Sequence, residues 1–120
     1  MWTWDQSAGA LSRDGKVVGH GYSGADAGKN NPALQGARGL GPIPQGRWKI
    51  VDHHDSANTG PFTLTLVAEL GTNTFGRTDF RIHGDSIAHP GGASHGCIIL
   101  PRPIREEMWA SGDRELEVVE

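Results

Sequence analysis

Turn-forming residues punctuate this chain so often that long helices have little room. Its 120 residues include 18 glycines and seven prolines. Glycine tolerates the left-handed backbone of tight turns, and proline withholds a donor from helix and sheet ladders. Short apolar segments between such residues predict strands. Trp2 to Gln6, Ala10 to Arg13 and Lys16 to Val18 read as a meander around an Asp14-Gly15 turn. Arg47 to Val51, Phe62 to Val67, Asp79 to His83 and Glu115 to Val119 read as further strands. Residues 24–42 carry no period and are expected to form a long ordered loop, with one helical turn near Asn31 to Gln35. Gly41 to Gly46 reads as a turn that fixes the chain before a strand, and His53 to Pro61 as polar and turn-like. Pro101 to Ala110 is the one helix candidate. Pro103 suits its first turn, Glu106 and Glu107 lie near its positive end, and Ser111-Gly112 stops it. The expected fold class is mainly β: a single domain over residues 1–120, folded as a curved β-sandwich or small barrel with one short helix.

Charge and length exclude several functions. Eleven basic against 14 acidic residues give a net charge of −3 and a pI near 6.0. That balance offers no electrostatic case for nucleic acid, and no cationic amphipathic helix argues for a membrane surface. No apolar run approaches the roughly 20 residues that span a bilayer. Met1-Trp2-Thr3-Trp4-Asp5 lacks the basic and apolar regions of a signal peptide, so synthesis in the cytoplasm is expected. One cysteine cannot form an intramolecular disulfide.

That cysteine, Cys97, stands in Ser94-His95-Gly96-Cys97, and the chain carries a His83-Gly84 at the end of Thr78-Asp79-Phe80-Arg81-Ile82. Cysteine is the nucleophile least handicapped at neutral pH, since a pKa of about 8.5 leaves a few per cent thiolate and an imidazole raises that share. The flanking glycines let a carbonyl carbon approach the sulfur and leave backbone N–H groups for an oxyanion. A lone thiol is more often inert core, but a core thiol needs no neighbouring His, Ser and glycines. The reading is a cysteine acyl-transfer enzyme.

The pattern resembles the L,D-transpeptidase family, in which a His-Gly leads after a spacer to Ser/Thr-His-Gly-Cys and an apolar residue. A narrower resemblance, to the compact type VI secretion L,D-transpeptidase effectors (Tlde1-like), rests on Gly21-Tyr22-Ser23-Gly24, Gly28-Lys29-Asn30-Asn31-Pro32 and Gly41-Pro42-Ile43-Pro44-Gln45-Gly46. It covers almost the whole chain. The spacer is shorter than in housekeeping transpeptidases, and the arginine often found two residues past the cysteine is Ile99 here.

The resemblance implies an L,D-transpeptidase catalytic fold. It assigns Cys97 as nucleophile and His83 as its base, with the imidazole oriented by the Gly84 carbonyl or by Asp85. Gly96 and Cys97 N–H groups would form the oxyanion hole, while Ser94 and His95 shape the turn and bond substrate or thiolate. Tyr22, Ser23, Asn30 and Asn31 are candidate substrate contacts. Arg102, with Lys29, Arg38, Arg47 and Arg81, is a candidate for the substrate's carboxylates. The implied substrate is the peptidoglycan stem tetrapeptide, cut by an L,D-carboxypeptidase or exchanged by an L,D-transpeptidase, without cofactor or metal. A chain without a leader but with a wall substrate is expected to be an antibacterial effector, secreted into the periplasm of a target cell. Its further partners would be a secretion-system component and a periplasmic immunity protein.

Two other readings compete. Six histidines suggest a metal-dependent hydrolase, although His53-His54 are adjacent and point apart on an extended segment. Trp2, Trp4, Trp48 and Trp109 suggest a non-enzymatic wall-binding module with a sugar platform.

Overall fold

The computed structural model describes all 120 residues, Met1–Glu120. Nine strands form one open sheet in the order β3-β2-β1-β9-β5-β6-β7-β8-β4. In chain order they are β1 (Trp2–Asp5), β2 (Ala10–Arg13), β3 (Lys16–His20), β4 (Tyr22–Ser23), β5 (Gly46–Ser56), β6 (Gly60–Ala68), β7 (Arg81–His83), β8 (Ile98–Ile99) and β9 (Glu115–Val119). One helix, α1 (Arg102–Ala110), packs on β6 and β7. No helix is long and apolar enough to cross a membrane.

Alternation along the strands builds the core. β1 buries Trp2 and Trp4 and half-exposes Thr3 and Asp5, and β9 buries Leu116 and Val118 between more open residues. Side chains of period two thus put one face of each strand inward. These residues join Leu11, Trp48, Ile50, Leu64, Ile82, Ile98 and Met108 in one cluster. Trp48 meets Phe80 edge-on, ring centroids 5.0 Å apart, and its indole N–H donates to the Pro44 carbonyl at 3.1 Å. Full burial of an aliphatic side chain contributes about 1.5–3 kcal/mol, so this cluster is the main stabilising term.

The fold is mainly β with one helix, as expected, but its strands form one sheet rather than a sandwich or small barrel. The sheet is single and open, because its edge strand β4 has two residues and pairs only with β8. The sheet nevertheless curls back on itself. β3 and β4 lie at opposite edges, yet Gly21 alone separates them in the chain. The first third is therefore a meander only as far as β3; the chain then crosses from one sheet edge to the other. A side chain at Gly21 is sterically excluded, since a Cβ would sit 1.7 Å from the Ile99 carbonyl oxygen.

Other elements shift from their expected bounds. His53 to Pro61 is mostly strand: β5 runs to Ser56 and only residues 57–59 turn before β6. Register shifts at Ile50/Asp52 and His54/Ser56 bend this arm past the core, so it is polar because both its faces see water. The loop of residues 24–42 holds two 3-10 turns, Asp26–Gly28 and Pro32–Leu34, the second capped by Asn31 Oδ1 accepting from Ala33 N–H at 3.1 Å. β7 begins at Arg81 because Asp79 adopts φ +63°. α1 starts one residue late, after Pro101, so its first turn carries Arg102 and Arg105 and no acid; Glu106 and Glu107 fall in the second. Gly112, at φ +76°, ends it.

Gly21→Ala is expected to cost about 3 kcal/mol or more, because the methyl meets backbone that cannot move aside. Chemical denaturation measures this, and a loss below about 1 kcal/mol would show that the β3–β4 crossing can shift.

Candidate active site

Parallel pairing of β7 with β8 sets His83 against Cys97. Ile82 pairs with Ile98 and His83 with Ile99, so Cys97, one residue before β8, falls opposite Arg81. Alternation then puts Cys97 and His83 on one face of the pair as diagonal neighbours. Both line an open cleft of about 1430 Å³, bounded by the β5–β6 turn, residues 76–80, the segment after β7 and the start of α1.

His83 is buried, and its Nδ1 lies 2.9 Å from the Gly84 carbonyl oxygen. An acceptor there fixes the tautomer with the proton on Nδ1 and leaves the Nε2 lone pair free to take a proton. Asp85 is engaged elsewhere: it accepts from Tyr22 Oη at 2.6 Å and from the Ser86 and Gly91 N–H groups. Of the two candidate orienting groups, the geometry therefore gives contact with the ring to the Gly84 carbonyl. Burial holds His83 below the ordinary imidazole value, outweighing the Gly84 bond, and the Arg105 and Arg81 charges add to the lowering. Burial likewise pushes the Cys97 thiol up, partly offset by the Arg81 N–H and by the Arg81 and Arg77 charges. The thiol faces the Asp79 carbonyl oxygen at 3.6 Å. Both shifts favour the uncharged forms, a thiol and a neutral imidazole.

Ser94 is fully buried and organises the turn before Cys97. Its Oγ accepts from Gly24 N–H at 2.9 Å and from Gly96 N–H at 3.1 Å, and donates to the Cys97 carbonyl at 2.6 Å. Two expectations change as a result. Ser94 has no free surface for substrate or thiolate. Gly96 N–H is occupied, which leaves Cys97 N–H as the oxyanion donor of the expected pair. Gly96 itself is required, because φ is +145° and a Cβ would lie 2.5 Å from Arg77 Nη2. His95 is exposed in the cleft, its Nδ1 3.2 Å from the Gly39 carbonyl oxygen.

The expected substrate contacts divide. Tyr22 and Arg102 line the cleft. Burial, then the Asp85 bond, push the Tyr22 phenol up to about 12, so its hydroxyl stays protonated and donates to Asp85. It also accepts from Ala93 N–H at 2.9 Å, which ties the segment after His83 to β4. Ser23 is corrected to a buried tie: its Oγ donates to the Gly96 carbonyl and accepts from Ile43 N–H, both at 2.9 Å. Asn30, at φ +51°, is likewise a pin outside the cleft, trading hydrogen bonds with both backbone groups of Ser23.

The family model described as the Tlde1 domain matches residues 18–119 of this chain. The chain belongs to the Tlde1 domain family. That domain marks a family of type VI secretion effectors. Comparison with curated proteins gave no match, and comparison with solved structures gave none either.

Within this Tlde1 domain, two cleft residues escaped sequence reasoning, Arg77 and Arg105. Arg77 is 6% exposed and donates to the carbonyls of Gln35, Gly41, Pro42 and His95. It clamps the long loop onto the turn before Cys97. Arg105 is 4% exposed on the inward stripe of α1, three residues before buried Met108. A cation at helical spacing with core residues is the signal that could have revealed it. Of the other cations, Arg47 pairs with Glu117 at 3.4 Å, and Lys29 donates to the Gly91 carbonyl at 2.6 Å.

Neither competing reading gains a site. No three His, Cys, Asp or Glu side chains converge to hold a metal; His53 stacks on Phe62 and His54 meets Asp52. Trp2, Trp4 and Trp48 are core residues, which leaves a sugar platform only half-buried Trp109.

Iodoacetamide should alkylate Cys97 slowly at neutral pH, the rate rising with pH to a midpoint above that of free cysteine. A midpoint below it would reveal a preformed thiolate–imidazolium pair. Ser94→Ala leaves two buried N–H donors unpaired and should lower stability by at least about 2 kcal/mol in urea titration.

Proposed function

We propose that this Tlde1 domain is a peptidoglycan-modifying cysteine enzyme with an L,D-transpeptidase catalytic fold. It acts on stem tetrapeptides as an L,D-carboxypeptidase, as an L,D-transpeptidase exchanging the terminal D-amino acid, or as both. The observation that carries the reading is the register of β7 and β8. It puts the only cysteine and a buried, tautomer-fixed histidine on one face of a peptide-sized cleft.

The chemistry follows from the two neutral groups. His83 Nε2 takes the proton of Cys97 Sγ as the sulfur attacks the carbonyl carbon of the third stem residue. Negative charge moves to the carbonyl oxygen, where Cys97 N–H receives it. The imidazolium, steadied by the Gly84 carbonyl, then protonates the leaving nitrogen, and D-alanine departs from a thioester. Water attacking the thioester gives the tripeptide; an amino-acid amine gives the exchanged tetrapeptide.

The effector family supplies the setting. Delivered by a secretion machine into a target periplasm, the enzyme would strip or replace the residues on which wall cross-linking depends. The producing cell would then hold a periplasmic immunity protein against it.

Mass spectrometry of disaccharide-tetrapeptide incubated with the protein, with and without D-methionine, tests this. Loss of terminal D-alanine or its replacement is expected, and Cys97→Ala should lower the rate by about 10³-fold or more. Unchanged substrate with folded protein would overturn the reading and favour a wall-binding module.

A further inference from the structure

Arg105 is the unexplained charge in this cleft. It is 4% exposed, yet none of the ion pairs in the structure includes it. A cation taken out of water needs compensating partners. Arg105 has them on one side only. Nε donates to the Leu100 carbonyl at 3.0 Å, and Nη1 to the Pro61 and Phe62 carbonyls, both at 2.7 Å. These bonds fix the guanidinium plane. Nη2 makes no hydrogen bond within the protein and is not sealed from solvent. It lies over Gly84, where a Cβ would come within 2.9 Å of it. Gly84 thus opens the space through which a rigid, unused donor reaches the cleft beside His83.

The other cleft cations differ. Both terminal nitrogens of Arg77 are occupied by carbonyls, Arg102 is exposed and paired with Glu106 at 3.4 Å, and Arg38 is exposed and donates to the Gly76 carbonyl at 3.3 Å. The two buried arginines bracket the dyad: Arg77 packs on Gly96 beside Cys97, and Arg105 on Gly84 beside His83. In acyl transfer His83 returns its proton to the leaving nitrogen. When the leaving group is a terminal amino acid, its carboxylate sits on the carbon bonded to that nitrogen. An anion site beside the general acid therefore meets the leaving group's own carboxylate.

We propose that Arg105 anchors the free carboxylate of the leaving terminal amino acid, and the carboxylate of an incoming amino acid in exchange. The cleft is thereby exo-acting, cutting the last peptide bond of a chain with a free carboxyl end. The leaving group and the identity of the peptide rest on the stem-peptide reading above; a carboxylate site at Arg105 beside His83 does not.

The test compares disaccharide-tetrapeptide with its C-terminal carboxamide. For the wild-type protein, kcat/KM should fall about 10- to 100-fold on amidation, the worth of a charge-assisted hydrogen bond. Arg105→Gln should lose a similar factor with the free acid and then treat acid and amide alike. Arg105→Lys, which keeps the charge, should recover part of the preference. Equal turnover of acid and amide by wild type, or an unchanged ratio in Arg105→Gln, would overturn the anchor while leaving the stem-peptide reading intact. If neither peptide is turned over, the stem-peptide reading fails and the anchor is judged by binding alone. Cys97→Ala is then titrated with D-alanine and D-alaninamide, followed by the NMR signal of the Arg105 Nε–H. A shift for D-alanine alone supports the anchor; equal or absent shifts overturn it.

Discussion

Ser94 Oγ is the atom on which the candidate site hangs. A hydroxyl can accept twice and donate once, and this one uses all three capacities, on Gly24, Gly96 and Cys97. Ser23 Oγ works beside it, joining Gly96 to Ile43. Two buried side chains thereby lock β4, the proline-rich turn and the Cys97 turn together with no charged group. Because those bonds are internal, the position of Cys97 is decided by backbone and hydroxyls rather than by anything in solvent. A residue that looks catalytic by its neighbours is here the frame that holds Cys97.

A second constraint comes from where the charges sit. Buried arginines usually answer to carboxylates, but Arg77 and Arg105 answer to backbone carbonyls. Loops rich in glycine and proline, with few regular ladders, leave many carbonyls unpaired. Guanidinium groups with five donors satisfy several at once. Arg105, together with Arg81, also sets positive charge beside His83, and nearby cations disfavour its imidazolium form. Arg77 thus closes the loop, while Arg105 biases the charge of the imidazole.

Elements with a clean period were legible from sequence, and those assembled across the chain were not. β1, β2, β9 and α1 announce themselves by alternation, by helical spacing and by proline and glycine at their ends. β4 and β8, two residues each, have no period to read; long-range pairing alone makes them strands. The far half of β5 reads as a turn because strand propensity is judged by burial, and this arm has little. At the site, Cys97, His83 and Gly84 were legible because their chemistry is local. Ser23, Ser94 and Asn30 were assigned to substrate or catalysis because a motif gives proximity in sequence without orientation. Arg77 and Arg105 went unseen because their partners are carbonyls far along the chain, which leave no residue-type signature.

β9 occupies the middle of the sheet, between β1 and β5. Without it the ladder falls into two pieces, one of β1 to β3 and the other of β4 to β8. Hairpins within each piece can form as soon as their own residues exist. The pieces can be zipped into one sheet only by a strand that follows every other in the chain. Pairing between such distant segments is slow, because loop entropy is lost before contacts form. On the ribosome, then, the thiol and imidazole would be synthesised before the two pieces of the sheet can join.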